Sequence, residues 1–232
     1  MTTSLRPPLV KRRTLGSDVY GQIRELLMSG RLMPGEQLSL RKTASALSVG
    51  VMPVREAIQR LVAEQALEVA PNRAVRVSTM TVSQFREITS IRIHLEGMAV
   101  RKAALAGDAA LIKALTRLNV FIEQEMKQSR PDAARIIAAN KALHFAVYEA
   151  ARMPLLLGMI ETLWLRVGPI LNYDLRSGSS RTVERVAVAH HAQLIEALSR
   201  HDPDAAALAL EGDIASAAAF IVDAQVLVSA DG

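Results

Sequence analysis

The stretch from Val49 to Leu67, VGVMPVREAIQRLVAEQAL, has the pattern of a short amphipathic helix. Its apolar positions recur at i, i+3, i+4 and i+7, and this spacing gathers on one face Val54, Ala57, Ile58 and Leu61. A proline near the start of the stretch is compatible with the first helical turn, where the N–H groups have no intrahelical partner. The sequence therefore predicts a helix that begins near position 50 and buries one face.

The second face of this helix is polar from its first turn onwards. Val51, Arg55 and Gln59 lie four residues apart and share that face. An arginine in the first turn opposes the helix dipole by about 0.3–1 kcal/mol, so its position needs another reason. A recognition helix provides one, because its N-terminal residues reach base edges in the major groove and arginine binds guanine in bidentate fashion. A solvated arginine on an ordinary surface helix is the alternative that this stretch alone leaves open.

Composition favours a helical, packed protein. Of the 232 residues, 50% are apolar, 22% are charged and only 3% are aromatic. This balance indicates helices packed through small side chains more than a β-sandwich. There is no cysteine, so disulfides and thiolate zinc sites are excluded. A chain of this length can hold one large domain, or a small domain and a medium one.

Positive charge is concentrated in the first third of the chain. Residues 1–80 carry 12 Lys and Arg against 6 Asp and Glu, whereas residues 81–232 carry 16 against 17. A basic N-terminal module on a neutral body fits a polyanion-binding head on a regulatory or oligomerising domain. We expect a flexible basic arm over residues 1–14, which lack the apolar core of a signal peptide. The apolar region 205–230 contains three acids, so we expect no membrane span and a cytoplasmic protein.

Around the opening stretch, the pattern predicts a winged helix-turn-helix over residues 15–79. A first helix is expected after a cap near Ser17, and a second after a cap at Ser39. The opening stretch supplies the third helix. Two short alternating segments, Leu67–Val69 and Val75–Val77, are joined by a turn and predict a hairpin. Three helices followed by a hairpin form a winged helix-turn-helix.

Three motifs in this region resemble the GntR family of bacterial transcription regulators. They are PGEQL at 34–38, PVREAIQRL at 53–61 and Pro71-Asn72-Arg73 in the expected wing, in that order along the chain. The chain departs from the usual pattern where Gln65 and Ala74 replace glycines. The resemblance implies a DNA-binding head and a function in transcription.

The same resemblance implies which side chains contact operator DNA. They are Arg41 in the second helix and Arg55 in the third helix, and Gln59 shares a face with Arg55. Arg73 in the wing is expected at phosphates or in the minor groove. Val51 stands where the family usually has another arginine, so we expect an apolar contact there, for example to a thymine methyl group. Because one head reads few bases, we predict a homodimer on an inverted-repeat operator with half-sites about 34–36 Å apart.

From residue 80 onwards the pattern is helical, which predicts a second domain over residues 80–232. Capping and breaking residues divide it into six helices, expected at about 81–107, 108–129, 132–152, 154–173, 182–200 and 203–228. The predicted fold class is mostly α, with a winged helix-turn-helix followed by an all-α six-helix bundle. This order is similar to the FCD domain, the ligand-sensing half of the FadR-type branch of GntR proteins. The number of helices is similar to its VanR-like subgroup.

Asn140 and His144 stand four residues apart, so they share one face of a predicted bundle helix. The resemblance to FCD domains implies that Asn140, His144, His191 and Asp213 hold one divalent metal ion. FCD domains usually have a histidine at the fourth position, and Asp213 adds a negative charge to otherwise neutral ligands. Such a mixed set is compatible with zinc, nickel or manganese. The alternative is that each histidine packs or caps within its own helix.

Arg92 matches an arginine that FCD proteins often place near the effector pocket. A buried guanidinium beside a metal suits a carboxylate, so the resemblance implies that a small organic acid releases the protein, as a repressor, from DNA. An ion pair between Arg92 and Glu96, one turn later, is an equally good interpretation. Trp164 is expected in the core or in a pocket wall.

Two alternatives to a ligand-responsive regulator remain open. A metal-dependent hydrolase could use the same Asn/His/His/Asp set to activate water, although the basic head would then have no explanation. An architectural DNA-binding protein could use its bundle for dimerisation alone. Motifs of other chemistries, such as GxxxxGK[ST], HExxH and GxSxG, do not occur in the sequence.

Overall fold

The structure is a computed structural model that describes residues 14–177 and 183–229. The predicted basic arm lies outside these ranges except for Thr14. In chain order the elements are α1 Leu15–Met28, β1 Gln37–Leu38, α2 Leu40–Ala46, α3 Val51–Ala63, β2 Leu67–Val69, β3 Val75–Val77, α4 Val82–Ala106, α5 Ala109–Met126, α6 Ala133–Ala150, α7 Pro154–Ser177, α8 Val186–Ser199 and α9 Pro203–Asp223. The predicted fold class is confirmed.

The head packs α3 against α1. The apolar stripe of the opening stretch is buried, as its spacing predicts, and it meets α1 residues such as Ile23 and Leu27 in one core. The expected cap at Ser17 is wrong. The Thr14 hydroxyl accepts a hydrogen bond from the Ser17 N–H at 3.2 Å, so the helix begins at Leu15.

The wing has one strand more than the sequence predicts. β2 and β3 form the expected antiparallel hairpin, with Leu67 opposite Val77. The short strand β1 pairs with the other edge of β3, which gives the strand order β1-β3-β2. A strand of two residues has too little alternation to be recognised from its pattern.

Six helices, α4 to α9, form the bundle in the described part of the chain. α4 opens with the predicted capping box of Thr81 and Gln84 and ends at Gly107, whose φ of 61° is left-handed. The expected bounds of later helices need correction. α8 begins at Val186 because Arg185 has a left-handed φ of 56°, and the expected start at 182 lies outside the described residues. α7 continues to 177, and α9 ends at 223 instead of near 228.

The head and the bundle meet where α1 packs on α7. Gly168 of α7 lies so close to α1 that a Cβ there would be 3.0 Å from the Met28 Cα. The Asn172 side-chain amide donates to the Met28 carbonyl at 3.1 Å, and Arg24 pairs with Glu161 at 3.0 Å. Because α7 also packs against α4, α6 and α9, it is a direct connection between the two domains.

Two bundle segments, Pro154–Tyr173 and Pro203–Asp223, are long and apolar enough to cross a membrane by length and composition. Both supply buried side chains to the bundle, for example Ile160 and Leu210. Packing in a helical core accounts for their apolar character. They are core helices of the bundle.

Candidate DNA interface and candidate metal centre

The exposed face of α3 carries the predicted base-reading residues. Val51, Arg55 and Gln59 are all exposed, whereas the apolar stripe of the same helix is buried. Gly50 caps the helix without a side chain, so no capping side chain covers the N-terminal turn. The first turns of α3 therefore present Arg55 at the end of the helix that enters the groove in helix-turn-helix proteins.

The two arginines of α3 have different surroundings. Arg60 donates to Glu64 at 3.0 Å, and its guanidinium lies 3.7 Å from the centre of the Tyr20 ring. These contacts hold Arg60 on the side of α3 that faces α1. Arg55 is exposed and one turn nearer the helix N-terminus. Arg55 is therefore the arginine of α3 that suits a base contact.

The predicted contacts from α2 and from the wing are also exposed. Arg41 lies in the first turn of α2, and Arg73 lies in the turn between β2 and β3 with a left-handed φ of 63°. The Asn72 side chain stabilises this turn by accepting from the Ala74 N–H at 3.0 Å. Arg73 and Lys42 of α2 line the same groove. The wing thus places Arg73 on the same groove as a cation of α2.

The predicted metal ligands come together from three helices. His144 lies on α6, His191 on α8 and Asp213 on α9, and all three are buried. One ligand atom from each lies within 4.8 Å of the others. Asp213 Oδ2 is 3.3 Å from His144 Nε2 and 3.8 Å from His191 Nε2. Residues far apart in sequence therefore converge on one point.

His191 is held with its Nε2 atom towards this point. The Asn119 amide donates to the Val188 carbonyl at 3.1 Å, which leaves the Asn119 oxygen, 3.1 Å from His191 Nδ1, as an acceptor. Nδ1 therefore carries the ring proton and Nε2 has a lone pair. That Nε2 is buried and has no hydrogen-bond partner within the described residues. Burial lowers the pKa of His191 to about 4, so the ring is neutral at pH 7, the form that binds metals.

Asp213 supplies the charge of the cluster. Burial raises the pKa of its carboxyl, but the neighbouring His144 and His191 rings outweigh this effect and bring that pKa well below its usual range. The carboxylate is therefore ionised at neutral pH. A carboxylate oxygen that faces an unpaired imidazole lone pair is unfavourable unless a cation lies between them. The donor set of Asp213, His144 and His191 fits a divalent ion.

A small cavity of about 60 Å³ opens onto the cluster. Asn140, one turn before His144 on α6, lines this cavity together with His144 and Asp213. The structure therefore brings all four predicted ligands to the same region, with three of them in a tight group and Asn140 in the cavity wall. A space of this size admits an ion with a few waters or one compact chemical group.

Arg92 forms an ion pair with Glu96 and also lies in the wall of the cavity, so both interpretations of its position apply. Its Nε and Nη2 atoms donate to Glu96 at 2.7 and 3.4 Å, which is the ion pair that the spacing allows. Its guanidinium also lines the cavity and lies 5.0 Å from the centre of the Trp164 ring. The ion pair compensates the buried charge, and Nη1 remains for a ligand because Glu96 engages the other two nitrogens.

The side chains that surround these ligands were not predicted from the sequence. Tyr148 lies 3.1 Å from His144 Nδ1, and its spacing four residues after His144 was an available signal. Asn119 contacts His191 from another helix, and the Trp164 ring centre lies 5.5 Å from that of His144. Contacts between helices leave no local signal in the sequence.

Comparisons with known proteins identify both domains. Residues 15–77 match the family described as bacterial regulatory proteins, gntR family, and residues 87–216 match the FCD domain. The chain belongs to the GntR family. It is similar to the HTH-type transcriptional regulator McbR of Escherichia coli (strain K12), with 38% identity over 165 residues, 71% of this chain and 73% of McbR. The solved structure titled E. coli McbR/YncC has a TM-score of 0.82 and 31% identity, and the match covers 91% of this chain and 98% of that chain.

The chain is also similar to the probable D-xylose utilization operon transcriptional repressor of Paenarthrobacter nicotinovorans. It is 29% identical over 206 residues, which are 88% of each chain. The relatives named here are transcriptional regulators, and this chain is a transcriptional regulator of the GntR/FCD type, not an enzyme. The hydrolase alternative has no support, and membership of the VanR-like subgroup stays a prediction.

Proposed function

We propose that this GntR regulator is a repressor that binds an inverted-repeat operator as a homodimer and leaves it when a small organic acid enters the bundle. The observation that carries the proposal is the convergence of His144, His191 and Asp213 beside a cavity that Arg92 also lines. Residues 15–79 bind DNA after the arm at 1–14, and residues 80–232 bind the effector and dimerise. One similar protein is a probable operon repressor, which supports repression over activation.

The bundle holds one divalent metal ion, zinc, nickel or manganese, through Asn140, His144, His191 and Asp213. Imidazole nitrogens, a carboxylate and an amide oxygen form a mixed set that suits these metals. The unpartnered Nε2 of His191 and the ionised Asp213 support the assignment. When bound, the ion would supply a Lewis acid that attracts an anionic effector.

A compact carboxylate suits the surroundings of this site. Arg92 contributes a buried cation to the cavity, and Glu96 already compensates that charge in the absence of a ligand. The cavity of about 60 Å³ favours a short acid over a long chain. The effector is therefore held by charge and by hydrogen bonds more than by apolar contact.

Operator recognition belongs to the head. Arg55, with Val51 and Gln59 on the same exposed face of α3, contacts base edges in the major groove, and Arg41 contacts the operator from α2. Arg73 in the wing contacts phosphates or the minor groove. Exposure of all five side chains supports this division of roles.

The exposed side of α4 supports dimerisation through the bundle. Ile91, Met98 and Leu105 recur every seven residues and are 41%, 44% and 66% exposed. Seven residues are close to two helical turns, so these side chains form an apolar line along α4. A second copy of α4 would remove this line from water, which favours association.

A charge placed on this line tests the dimer. Met98→Glu is expected to shift the protein towards monomer in light scattering at micromolar concentration. Leu155→Glu is the matched control, because Leu155 lies on α7 and is 83% exposed. A parent protein that is monomeric and protects only one half-site would overturn the dimer.

α7 contacts both the cavity and the head, which supports a physical connection between effector binding and operator binding. It carries Trp164 at the cavity and Gly168 and Asn172 against α1. An effector that binds better when α7 has one of two positions shifts the population of head arrangements by its difference in affinity. A change in the position of α7 therefore changes the spacing of the two heads. The affinity for the operator changes with that spacing.

A panel of short carboxylic acids tests the proposed function. Metal-supplemented protein is screened by thermal shift, and each acid that raises the melting temperature is then tested for release of labelled operator DNA. The amide of each active acid is the matched control, since it keeps the shape and removes the charge. Release by uncharged compounds alone would contradict the carboxylate assignment.

A further inference from the structure

Glu96 of α4 lies at the centre of the bundle and has no exposed surface. Its carboxylate accepts hydrogen bonds from three other side chains. Arg92 Nε donates at 2.7 Å, Trp164 Nε1 donates at 3.0 Å, and the Tyr148 hydroxyl donates to the second oxygen. A carboxylate that pairs with a guanidinium presents acceptor oxygens to its neighbours. Glu96 is therefore a fixed acceptor whose neighbours must all point their protons towards it.

This arrangement decides the direction of the next hydrogen bond. The single proton of the Tyr148 hydroxyl is donated to Glu96. The Tyr148 oxygen, 3.1 Å from His144 Nδ1, can then only accept from that ring nitrogen. Nδ1 of His144 therefore carries a proton, which leaves Nε2, 3.3 Å from Asp213 Oδ2, as the ring nitrogen that can bind a metal.

We infer that Glu96 and Tyr148 form a relay that holds His144 in the Nδ1–H tautomer and so directs its Nε2 lone pair into the metal site. Both are positioning residues, because neither contacts the ion. The inference rests on the proposed metal site and adds what prepares it. A histidine ligand whose other nitrogen donates towards an anionic group is also a more basic ligand.

The two histidines of the site are oriented by different means. His191 donates to Asn119, a neutral amide that is itself fixed by the Val188 carbonyl. His144 donates to a hydroxyl whose proton is held by a charged carboxylate. When the Tyr148 hydroxyl is absent, the His144 ring can carry its proton on Nε2 instead and donate to Asp213. In that tautomer Nε2 carries a proton and cannot bind the metal. The relay therefore disfavours the competing Nε2–H tautomer as well as orienting the ring.

Tyr148→Phe in the full chain tests the relay, because it removes one hydroxyl and leaves Glu96 bonded to Arg92 and Trp164. Competition titrations with Zn²⁺, repeated with Ni²⁺, are expected to give roughly 10- to 100-fold weaker binding. Tyr20→Phe is the matched control, since it also removes a tyrosine-to-glutamate hydrogen bond, of 2.8 Å to Glu64, but in the head. Equal losses in both variants, or none in Tyr148→Phe, would overturn the inference.

A second measurement does not depend on metal. Nitrogen-15 NMR of the metal-free protein, labelled at histidine, reports which ring nitrogen of His144 carries the proton. We expect a protonated Nδ1 in the parent and in Tyr20→Phe, and a shift towards the Nε2–H form in Tyr148→Phe. An unchanged Nδ1 signal in Tyr148→Phe overturns the relay. A parent that binds neither ion contradicts the proposed metal site instead, and the NMR result still decides the relay.

Discussion

The head and the bundle place their functional groups in opposite ways. Arg41, Arg55 and Arg73 are exposed on a small scaffold and await a partner from outside. His144 and His191 are buried in a core and depend on other side chains to orient them. Substitution of an exposed residue can change binding with little effect on the fold, whereas a buried metal ligand is also part of the core packing. Substitutions in the two regions should therefore differ in what they disturb.

Loss of a metal ligand is the largest effect that this comparison predicts. The parent should bind one divalent ion per chain, while Asp213→Ala and His144→Ala should bind none, because each removes a donor from a group of three. With free metal at 100 times its dissociation constant, binding stabilises the parent by about 2.7 kcal/mol. Elemental analysis and thermal melts with and without metal measure both quantities.

Arg55→Ala is the control for those variants, since its site lies in the other domain. It should keep the metal content of the parent. Equal metal content in the parent, Asp213→Ala and His144→Ala would remove the metal site and leave the cavity as an ordinary organic-ligand pocket.

Arg55→Ala should have its own large effect on DNA. A bidentate contact to a base is worth about 1–3 kcal/mol of discrimination, so the variant should lose most of its preference for operator over random DNA while its melting temperature stays close to that of the parent. Fluorescence anisotropy with both DNAs at one salt concentration measures this preference. Full discrimination by Arg55→Ala would mean that α3 is not the reading helix.

The same contrast explains how much the sequence could predict. Local patterns predict most of the head. Helical spacing predicts α3, and capping and turn residues predict the neighbouring elements. The motifs of the head indicate Arg41, Arg55 and Arg73 as DNA contacts. These features depend on residues close together in the chain. The cap of α1 was placed at Ser17 instead of Thr14. The short strand β1 was missed, because its partner strand is distant and its length is two residues.

The bundle site was predicted less completely for a physical reason. The resemblance supplied His144, His191 and Asp213, and the structure brings them together. Their orientation depends on contacts between helices, such as Asn119 with His191 and Glu96 with Tyr148. Such pairs are separated by 72 and 52 residues, so periodicity along one helix contains no information about them.

The close contact between α7 and α1 joins the two regions. Gly168→Ala should destabilise the protein by about 1–3 kcal/mol, as overpacking does, because the new Cβ would lie 3.0 Å from the Met28 Cα and 3.1 Å from the Leu27 carbonyl oxygen. Both obstacles are backbone atoms and cannot rotate away. Operator release by an effector should also weaken, since α1 and α7 no longer pack closely. Denaturant unfolding and the release assay measure the two effects.

Gly158→Ala is the matched control on the same helix. A Cβ at Gly158 meets nothing within 4 Å, so alanine should be neutral or should stabilise the helix by about 0.5–1 kcal/mol. If both variants unfold at the same denaturant concentration, the close approach of α7 to α1 does not hold the domains together.

Arg73→Ala should have a smaller and more uniform effect than Arg55→Ala. A contact to phosphate contributes equally on every sequence, so affinity for operator and random DNA should fall together. The slope of log affinity against log salt should decrease in magnitude by about one unit. Binding isotherms at several salt concentrations measure this slope. Loss of sequence preference without a change of slope would instead place Arg73 against a base.

Gln65→Gly has the smallest expected effect and concerns the scaffold of the head alone. Gln65 follows the last turn of α3 with a left-handed φ of 59°, and its N–H donates to the Val62 carbonyl while that of Ala66 donates to the Leu61 carbonyl, the pattern of a Schellman cap. A left-handed non-glycine residue costs about 1–2 kcal/mol, and glycine loses about 0.5–1 kcal/mol more conformational entropy on folding. Glycine should therefore stabilise by about 0.5–1 kcal/mol, asparagine by less, and alanine not at all. Denaturant midpoints give this order, and operator and metal affinity should stay constant across the series because the exposed Gln65 side chain lies in neither site. If glycine is no more stable than alanine, the left-handed cap does not limit the stability of the head.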